Sequence, residues 1–231
     1  MVMSESLEET VEVQRGLFAE RLKAYRDQGL KVFASSSFQT HSIPMLHLIS
    51  ELDADIPVVF LQTGFHFPET LAFRDQIADL LGLQIINVES ALPKIAQRDA
   101  RGRFHFASDP GYCCFLNKTK PMEPILGEYD VWITGVRRDQ SATRKNFALE
   151  APGPFNTTRF HPMLDWTNRM IHHYRKQYQL PAHPLEAKGY LSIGCAPCTQ
   201  KFNLGDPNDR GGRWAGLKKT ECGLHTDLAK A

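Results

Sequence analysis

Short apolar runs alternate with longer stretches of helical periodicity through most of this sequence. Such alternation predicts strands that each return through a helix, and therefore a mostly parallel sheet with helices on both faces. We expect a doubly wound α/β fold whose ligand site lies at the carboxyl ends of the strands. The predicted pairs of strand and helix are KVFAS with IPMLHLISEL, IPVVFLQ with PETLAFRDQIADLLG, and LQIINVES with LPKIAQRDA, followed by a further strand, YDVWITGV.

The periodicity divides the chain into three parts. Residues 1–29 form an N-terminal helix, and residues 30–200 form the α/β domain, whose last long helix is predicted over 165–178. Beyond this domain the periodicity fades, and residues 201–231 form a C-terminal tail rich in glycine and basic side chains. The sequence thus predicts one domain followed by a functional tail.

The N-terminal helix has clear start and stop signals. Ser6 and Glu9 have the spacing of a capping box, and Gly29 suits the end of the helix. The apolar stripe that this helix is predicted to bury consists of Leu7, Val11, Leu17, Leu22 and Tyr25.

The charges of the chain are balanced. Its 231 residues include 27 Lys and Arg against 26 Asp and Glu, a formal net charge of +1. This balance gives no global attraction to nucleic acid or to an anionic membrane, so local clusters must bind any anion. No apolar run approaches the roughly 20 residues of a membrane helix, and the start MVMSESLEET lacks the apolar centre of a signal peptide. We expect a cytoplasmic protein with reduced thiols, either a monomer or a homo-oligomer.

Four of the five cysteines form two local pairs. Cys113 and Cys114 are adjacent, and Cys195 and Cys198 form a C-x-x-C motif. Four thiolates are what a [4Fe–4S] cluster or a tetrahedral zinc ion requires. Adjacent cysteines can each bind a separate iron atom of a cluster, whereas they reach a single small ion with difficulty. The spacing therefore favours the cluster, and the alternatives are zinc or cysteines that only pack.

The fifth cysteine, Cys222, lies in a basic segment near the C-terminus. Nearby positive charge favours the thiolate form that a nucleophile needs. The alternative for a lone cysteine is a small buried apolar residue. We predict that Cys222 is a nucleophile on a mobile tail. The surrounding residues that suggest this are Arg210, Arg213, Lys218, Lys219 and His225.

Three predicted strands end in small, hydroxyl or guanidinium side chains. Because the carboxyl ends of parallel strands meet at one edge of a sheet, these groups should line one pocket for a nucleotide-sized anion. No G-K-[ST] follows the serines, so they do not form a Walker A loop. The alternative to an anion-binding loop is that one serine is an ordinary N-cap of the following helix. The candidate substrate-binding residues are Ser35, Ser36, Ser37, Thr63, Gly64, Arg137, Arg138, Arg210 and Arg213.

The segments SSSFQT, TGFHFPET, CCFLNK, ITGVRRDQS, GCAPC and KTECGLH, in this order, resemble the assimilatory sulfonucleotide reductases of the iron–sulfur-cluster branch. The resemblance covers about residues 30–226. It implies an adenine-nucleotide-hydrolase-like (Rossmann-like) sheet and the reduction of adenylyl sulfate (APS), or its 3′-phosphorylated form (PAPS), to sulfite. The cluster branch generally prefers APS. Because SSSFQ resembles the loop of PAPS enzymes more than the SGAED loop of APS enzymes, the use of both nucleotides stays open.

The resemblance also implies roles for individual residues. Cys222 would be the nucleophile, Lys118 the lysine between cluster and substrate, and His225 a substrate-facing catalytic side chain. Attack by Cys222 would displace AMP and leave an S-sulfocysteine, and an external thioredoxin or glutaredoxin would then release sulfite. The ligands of the [4Fe–4S] cluster would be Cys113, Cys114, Cys195 and Cys198.

Two other kinds of function are compatible with parts of this pattern. An ATP-dependent sulfur transferase can combine a related phosphate loop with cluster cysteines, but it normally has S-G-G-x-D-S where this chain has SSSFQT. A non-enzymatic iron–sulfur sensor or a zinc-stabilised binding module would leave Cys222 and its basic neighbours without a function.

Overall fold

The computed structural model describes residues 6–203, 205, 210–214, 219, 221–225 and 228, with only the backbone of His225. Its helices are α1 Leu7–Asp27, α2 Ile43–Leu52, α3 Pro68–Leu81, α4 His105–Ser108, α5 Pro110–Cys114, α6 Lys120–Glu128 and α7 Asn168–Gln177. Its strands are β1 Val32–Ser35, β2 Val58–Leu61, β3 Ile85–Val88, β4 Val131–Thr134, β5 Glu150–Pro152 and β6 Thr158–Phe160. A π-helical turn, Phe115–Thr119, joins α5 to α6.

Within the described residues, six strands form one sheet in the order β3-β2-β1-β4-β6-β5. All neighbours in this order run parallel except β5, which pairs antiparallel with β6. The doubly wound, mostly parallel sheet is thus confirmed. The sequence analysis missed β5 and β6, because these short strands lack an apolar run. No helix in the described part of the chain is long and apolar enough to cross a membrane.

The two faces of the sheet are covered by different helices. Ala34 and Ile133 contribute to a core that includes residues of α1, α2, α3 and α7. Their sequence neighbours Phe33 and Trp132 point to the opposite face and pack with Met122 of α6. Successive strand residues alternate between faces, and both faces here are apolar. This explains why the strands read as continuous apolar runs.

The N-terminal helix begins with the predicted capping box. The Ser6 backbone N–H donates to Glu9 Oε2 at 2.7 Å, and the Glu9 backbone N–H donates to Ser6 Oγ at 3.2 Å. The prediction that Leu17 is buried is wrong, because its side chain is 45% exposed. Phe18 is buried instead, since it lies one turn before Leu22 on the face that meets the core.

The predicted helix over LPKIAQRDA is also wrong. The structure forms only a 3₁₀ turn, Lys94–Ala96, and then a β-bridge between Arg98 and Phe104. Gln97, which is 2% exposed, exchanges side-chain hydrogen bonds with Asn117 at 3.0 and 2.6 Å. Because this buried amide pair fixes the loop against the π-helical turn, tertiary contacts override the helical pattern.

Candidate active site

A cavity of about 370 Å³ opens at the carboxyl ends of β1 and β4. Ser35 and Thr134 are register partners at the ends of these strands, and both line the cavity. The sheet is wound outwards in two directions from this point, which is where open α/β sheets bind ligands. The predicted site residues that line the cavity are Ser35, Ser36, Ser37, Thr63, Lys118, Arg137, Cys195, Arg210, Arg213 and Cys222.

Lys118 and Cys222 meet at the edge of this cavity. The Lys118 Nζ donates to Cys222 Sγ at 3.7 Å. Lys118 belongs to the π-helical turn, a distortion that is frequent at functional sites. Burial acts to lower the pKa of Lys118, but the sulfurs of Cys222 and Cys195 outweigh burial and raise this pKa above its ordinary 10.5. The lysine is therefore a charged ammonium beside the sulfur.

The Cys222 thiol is acidified by its surroundings. A hydrogen bond from Cys114 is the largest cause that holds the pKa of Cys222 well below its ordinary 9.0. Lys118 and Arg213 lower this pKa further, while burial opposes them. The Lys118 ammonium and the Arg213 guanidinium thus favour the Cys222 thiolate, which is the reactive form of a cysteine.

The other four cysteines line a second, smaller cavity beside the first. Cys113 and Cys114 end α5, and Cys195 and Cys198 bracket a short 3₁₀ turn. The structure therefore brings together the two pairs that the sequence analysis grouped. Among the described residues, no group of three or more His, Cys, Asp or Glu could hold a metal ion as placed.

Polar side chains contact two of these sulfurs. Thr63 Oγ1 lies 3.2 Å from Cys195 Sγ, and Asn117 Nδ2 donates to Cys113 Sγ at 3.7 Å. Burial raises the pKa of Cys113 to about 11, and the sulfurs of Cys195 and Cys198 add to this effect. The cysteines thus oppose each other's ionisation, and a bound metal would reverse this by stabilising the thiolates.

The serine loop has a tight backbone conformation. Ser36 Oγ accepts from the Phe38 backbone N–H at 3.0 Å, and Phe38 has a positive φ of 53° with its ring fully buried. Ser35 Oγ accepts from Trp132 Nε1 at 2.8 Å. Because α2 begins only at Ile43, after a 3₁₀ turn, the serines precede the helix and do not cap it.

The two adjacent arginines after β4 have different environments. Arg137 is 2% exposed, donates to Asp139 and Asn168, and lines the cavity. Arg138 is not among the lining residues, because its Nε donates to Asp165 Oδ1 at 2.6 Å and its Nη1 to the Lys145 carbonyl at 3.0 Å. Of the two, Arg137 is placed to meet a ligand.

The other predicted positions differ in how the structure places them. Gly64 is exposed and is not among the lining residues, and its carbonyl accepts from Lys94 Nζ at 3.0 Å. The His225 side chain lies outside the described part of the chain, so its role stays a prediction.

Arg213 enters the cavity through a gap left by a glycine. A Cβ on Gly194 would lie 2.3 Å from Arg213 Nη2, so only glycine leaves room for this guanidinium. The Arg213 guanidinium carbon also lies 4.5 Å from the ring centroid of Trp214, a residue that lines both cavities. The described residues 210–214 are bound to the C-x-x-C segment by a bridge between Thr199 and Arg213.

Glu221 and Arg144 line the cavity, although the sequence analysis did not select them. The Glu221 side chain is 2% exposed and accepts from Arg144 Nε and Nη2, each at 2.9 Å. Arg210 Nη2 donates to the same carboxylate at 2.9 Å. Arg210 was predicted to bind substrate, and here it also neutralises Glu221. In the sequence, only the position of Glu221 directly before Cys222 could have indicated that it belongs to the site.

His66 is a second cavity residue that the sequence analysis did not select. Its ring contacts Phe60 with centroids 4.8 Å apart. Burial, helped by Lys118 and Arg74, lowers the pKa of His66 to about 4. His66 is therefore neutral at physiological pH, and its Nδ1 is buried with no hydrogen-bond partner in the described structure.

Comparison with known families identifies this arrangement. Residues 31–201 match the phosphoadenosine phosphosulfate reductase domain. The chain belongs to this reductase family. Two relatives support the assignment. The adenosine 5′-phosphosulfate reductase of Chelativorans sp. is 41% identical over 203 residues, and the alignment covers 87% of this chain and 81% of that protein. The protein of the same name from Geobacillus kaustophilus is 39% identical over 205 residues, and the alignment covers 87% of this chain and 86% of that protein.

Two solved structures have the same fold as this chain. The phosphoadenylyl-sulfate reductase of Candida auris, crystallised with phosphate, superposes with a TM-score of 0.64 at 20% identity, covering 84% of this chain and 97% of that one. The FMN adenylyltransferase of Candida glabrata has a TM-score of 0.61 at 14% identity, and the superposition covers 100% of this chain and 80% of that one. At these identities the likeness concerns the fold alone, and it agrees with the predicted Rossmann-like class.

Proposed function

We propose that this chain is an adenylyl-sulfate reductase, which transfers the sulfonate group of APS to Cys222 and releases AMP. The observation that carries this proposal is the 3.7 Å contact between Lys118 Nζ and Cys222 Sγ at the edge of a cavity large enough for a small-molecule ligand. The choice of APS is supported by relatives named adenosine 5′-phosphosulfate reductase, of which eight are 35% to 41% identical.

The first step is a nucleophilic displacement at sulfur. The Cys222 thiolate attacks the sulfur of APS, the bond from sulfur to the bridging phosphate oxygen breaks, and AMP leaves with the bonding electrons. The leaving phosphate needs no proton because it is already a stable anion. The obstacle is that the thiolate and the sulfonate are both negative. The cationic groups of Lys118 and Arg213 offset this repulsion in a partly buried site.

The second step requires an external dithiol such as thioredoxin or glutaredoxin. A thiolate of this partner attacks Cys222 Sγ, and sulfite leaves with the electrons of the broken S–S bond. The partner's second thiol then resolves the mixed disulfide and restores the Cys222 thiolate, so the partner becomes a disulfide. The C-x-x-C of this chain does not serve as that dithiol in this proposal, because Cys195 and Cys198 are assigned to the cluster.

We also propose that a [4Fe–4S] cluster is held by Cys113, Cys114, Cys195 and Cys198. An adjacent cysteine pair and a C-x-x-C that line one cavity suit a group with separate iron atoms better than a single ion, because neighbouring cysteines can each bind their own iron. Lys118 lies beside the same cavity and offsets the negative charge of four thiolates. When bound, the cluster supplies a rigid link between the two cysteine pairs and a local electrostatic field, and neither thiol step needs an electron from it.

The deciding experiment is anaerobic incubation with APS in the absence of any reductant. We expect one covalent adduct of about 80 Da, the mass of SO₃, on the peptide that contains Cys222. A parallel incubation with PAPS, and kcat/KM for both nucleotides with thioredoxin, tests the alternative of a PAPS or dual enzyme. An adduct on another residue, or none with either nucleotide, would contradict the proposal. Pyrophosphate release from ATP would instead indicate a sulfur transferase.

A further inference from the structure

Glu221 connects the nucleophile to the body of the protein. It directly precedes Cys222, and its Oε1 accepts from the Cys222 backbone N–H at 2.9 Å. The opposite partner, Arg144, lies in a 3₁₀ turn, Thr143–Asn146, of the α/β domain, 77 residues earlier in the chain. The carboxylate thus joins two distant segments at the point where the nucleophile is held.

The geometry of this contact is specific. Arg144 donates through Nε and Nη2, both at 2.9 Å, which is the two-pronged arrangement that a planar guanidinium makes with a carboxylate. Ser141 Oγ donates to Glu221 Oε2 at 3.3 Å and adds a second contact from the same loop. The Arg144 and Glu221 side chains are only 6% and 2% exposed, so water does not screen the pair.

The position of Cys222 depends on this contact. Lys118 belongs to the π-helical turn, whereas Cys222 lies in the C-terminal segment. Glu221 Oε1 accepts from the Cys222 backbone N–H, so a shift of this carboxylate would also move the backbone that carries the sulfur beside Lys118. A shift of 1 Å at a reacting atom is enough to slow a chemical step strongly.

We propose that Glu221, held by Arg144, is a positioning residue that fixes Cys222 beside Lys118 for sulfonate transfer. This inference rests on the proposed function, because it assigns Glu221 a part in that reaction. It concerns the placement of the nucleophile and not the binding of the nucleotide. Glu221 acts through Cys222 and does not take part in the bond changes.

The test uses Glu221→Asp and Glu221→Gln, with Glu12→Gln as the matched control. Glu221→Asp keeps the charge that Arg144 needs but shortens the side chain, so we expect a folded protein. Glu12 pairs only with Arg15 on the surface of α1 among the described residues, and its loss should change nothing at the site. Three quantities are measured: amide hydrogen exchange over 219–225, the single-turnover rate of Cys222 sulfonation, and the Kd for AMP.

We expect faster amide exchange over 219–225 and sulfonation slowed by about ten- to a hundred-fold in both Glu221 variants. The Kd for AMP should change by a smaller factor, which reflects the contact that Arg210 makes with Glu221. Combining Glu221→Gln with Arg144→Met should slow sulfonation no further than the slower single variant, since the two side chains act as one unit. Any of three results would overturn the proposal. These are unchanged amide exchange over 219–225, a double variant whose loss of sulfonation rate is the product of the two single losses, or variants that bind AMP more weakly but are sulfonated at the wild-type rate.

The same experiment separates this proposal from the proposed function. If the wild-type protein is not sulfonated by APS or PAPS, the proposed reaction fails, and with it the catalytic part of this proposal. The exchange of the Cys222 amide would still show whether Glu221 and Arg144 hold the segment in place.

Discussion

The ammonium of Lys118 and the sulfur of Cys222 are 3.7 Å apart although 104 residues separate them in the chain. The contact joins the π-helical turn after the cysteine pair to the C-terminal segment. It gives Cys222 a cation that favours the thiolate and that, in the proposed reaction, would offset the charge of an incoming sulfonate. The reactivity of Cys222 should therefore depend on Lys118 in a way that can be measured directly.

Replacing Lys118 by Met should raise the pKa of Cys222, because the ammonium helps to hold it below 9.0. In the wild-type protein we expect iodoacetamide to modify Cys222 rapidly even as the pH falls from 9 to 7. In Lys118→Met the pH midpoint of this modification should move upward, and turnover should fall by about a hundred-fold. Lys120→Met is the control, since Lys120 is 63% exposed and pairs with Glu123. If the rate of modification depended on pH in the same way in both variants, Lys118 would have no influence on the Cys222 thiol.

Cys222→Ser should abolish turnover while it leaves nucleotide binding intact. The hydroxyl is a far weaker nucleophile than a thiolate at neutral pH, but it fills nearly the same volume. Sulfite release with thioredoxin present measures the first effect, and calorimetric titration with AMP measures the second. Measurable sulfite release would show that another group accepts the sulfonate.

Cys195→Ser should lose bound iron, because serine is a poor substitute for a thiolate ligand. The measurement is iron and acid-labile sulfide per chain, together with visible absorption, in protein purified without air. Cys222→Ser serves as the matched control and should keep its full iron content, since Cys222 is not among the residues that line the second cavity. Iron that survives Cys195→Ser but not Cys222→Ser would reverse the proposed division among the cysteines.

Gly194→Ala should displace Arg213 without unfolding the protein. A Cβ at this position would meet the end of the Arg213 side chain at 2.3 Å, and a long side chain can move away. We expect KM for the nucleotide to rise by about ten-fold while the melting temperature stays nearly constant. Gly16→Ala is the control, because a Cβ there meets nothing within 4 Å and helix propensity should make this variant slightly more stable. An unchanged KM would mean that Arg213 does not contact substrate.

The protein should lose stability in mild acid through His161. This side chain is fully buried, and burial, helped by Arg159 and Arg144, lowers the pKa of His161 from 6.5 to about 3. Between these two values the unfolded chain binds a proton that the folded protein does not, so folding stability is complete above pH 6.5 and falls as the pH drops. His161 alone contributes a loss of about 1.4 kcal/mol for each pH unit between 6.5 and about 3, and the buried His66 adds to it.

The comparison is the midpoint of urea unfolding at pH 7.5 and at pH 5.0. His161→Asn should show a smaller drop than wild type, since its amide does not titrate. His172→Asn, at an exposed position, should show the same drop as wild type. A wild-type midpoint that does not change between the two pH values would contradict this assignment.

Much of the fold followed from local pattern. Both faces of the central strands are apolar, so β1, β2, β3 and β4 are visible as short runs in the sequence. By contrast, β5 and β6 lack such a run and exist because β6 pairs with β4. The segment after β3 has a helical pattern but forms a loop, because Gln97 makes buried hydrogen bonds to Asn117. Local propensity decides an element only where no tertiary contact opposes it.

The reactive groups of this protein can be recognised from its sequence alone. Four cysteines in two pairs and a fifth in a basic segment are visible without coordinates, because ligand spacing and local charge are properties of neighbouring residues. The tertiary structure decided which groups meet. It placed Arg137 in the cavity and directed Arg138 away, and it joined Glu221 to Arg144 across 77 residues. Such choices depend on strand register and loop conformation, which adjacent residues in a sequence do not reveal.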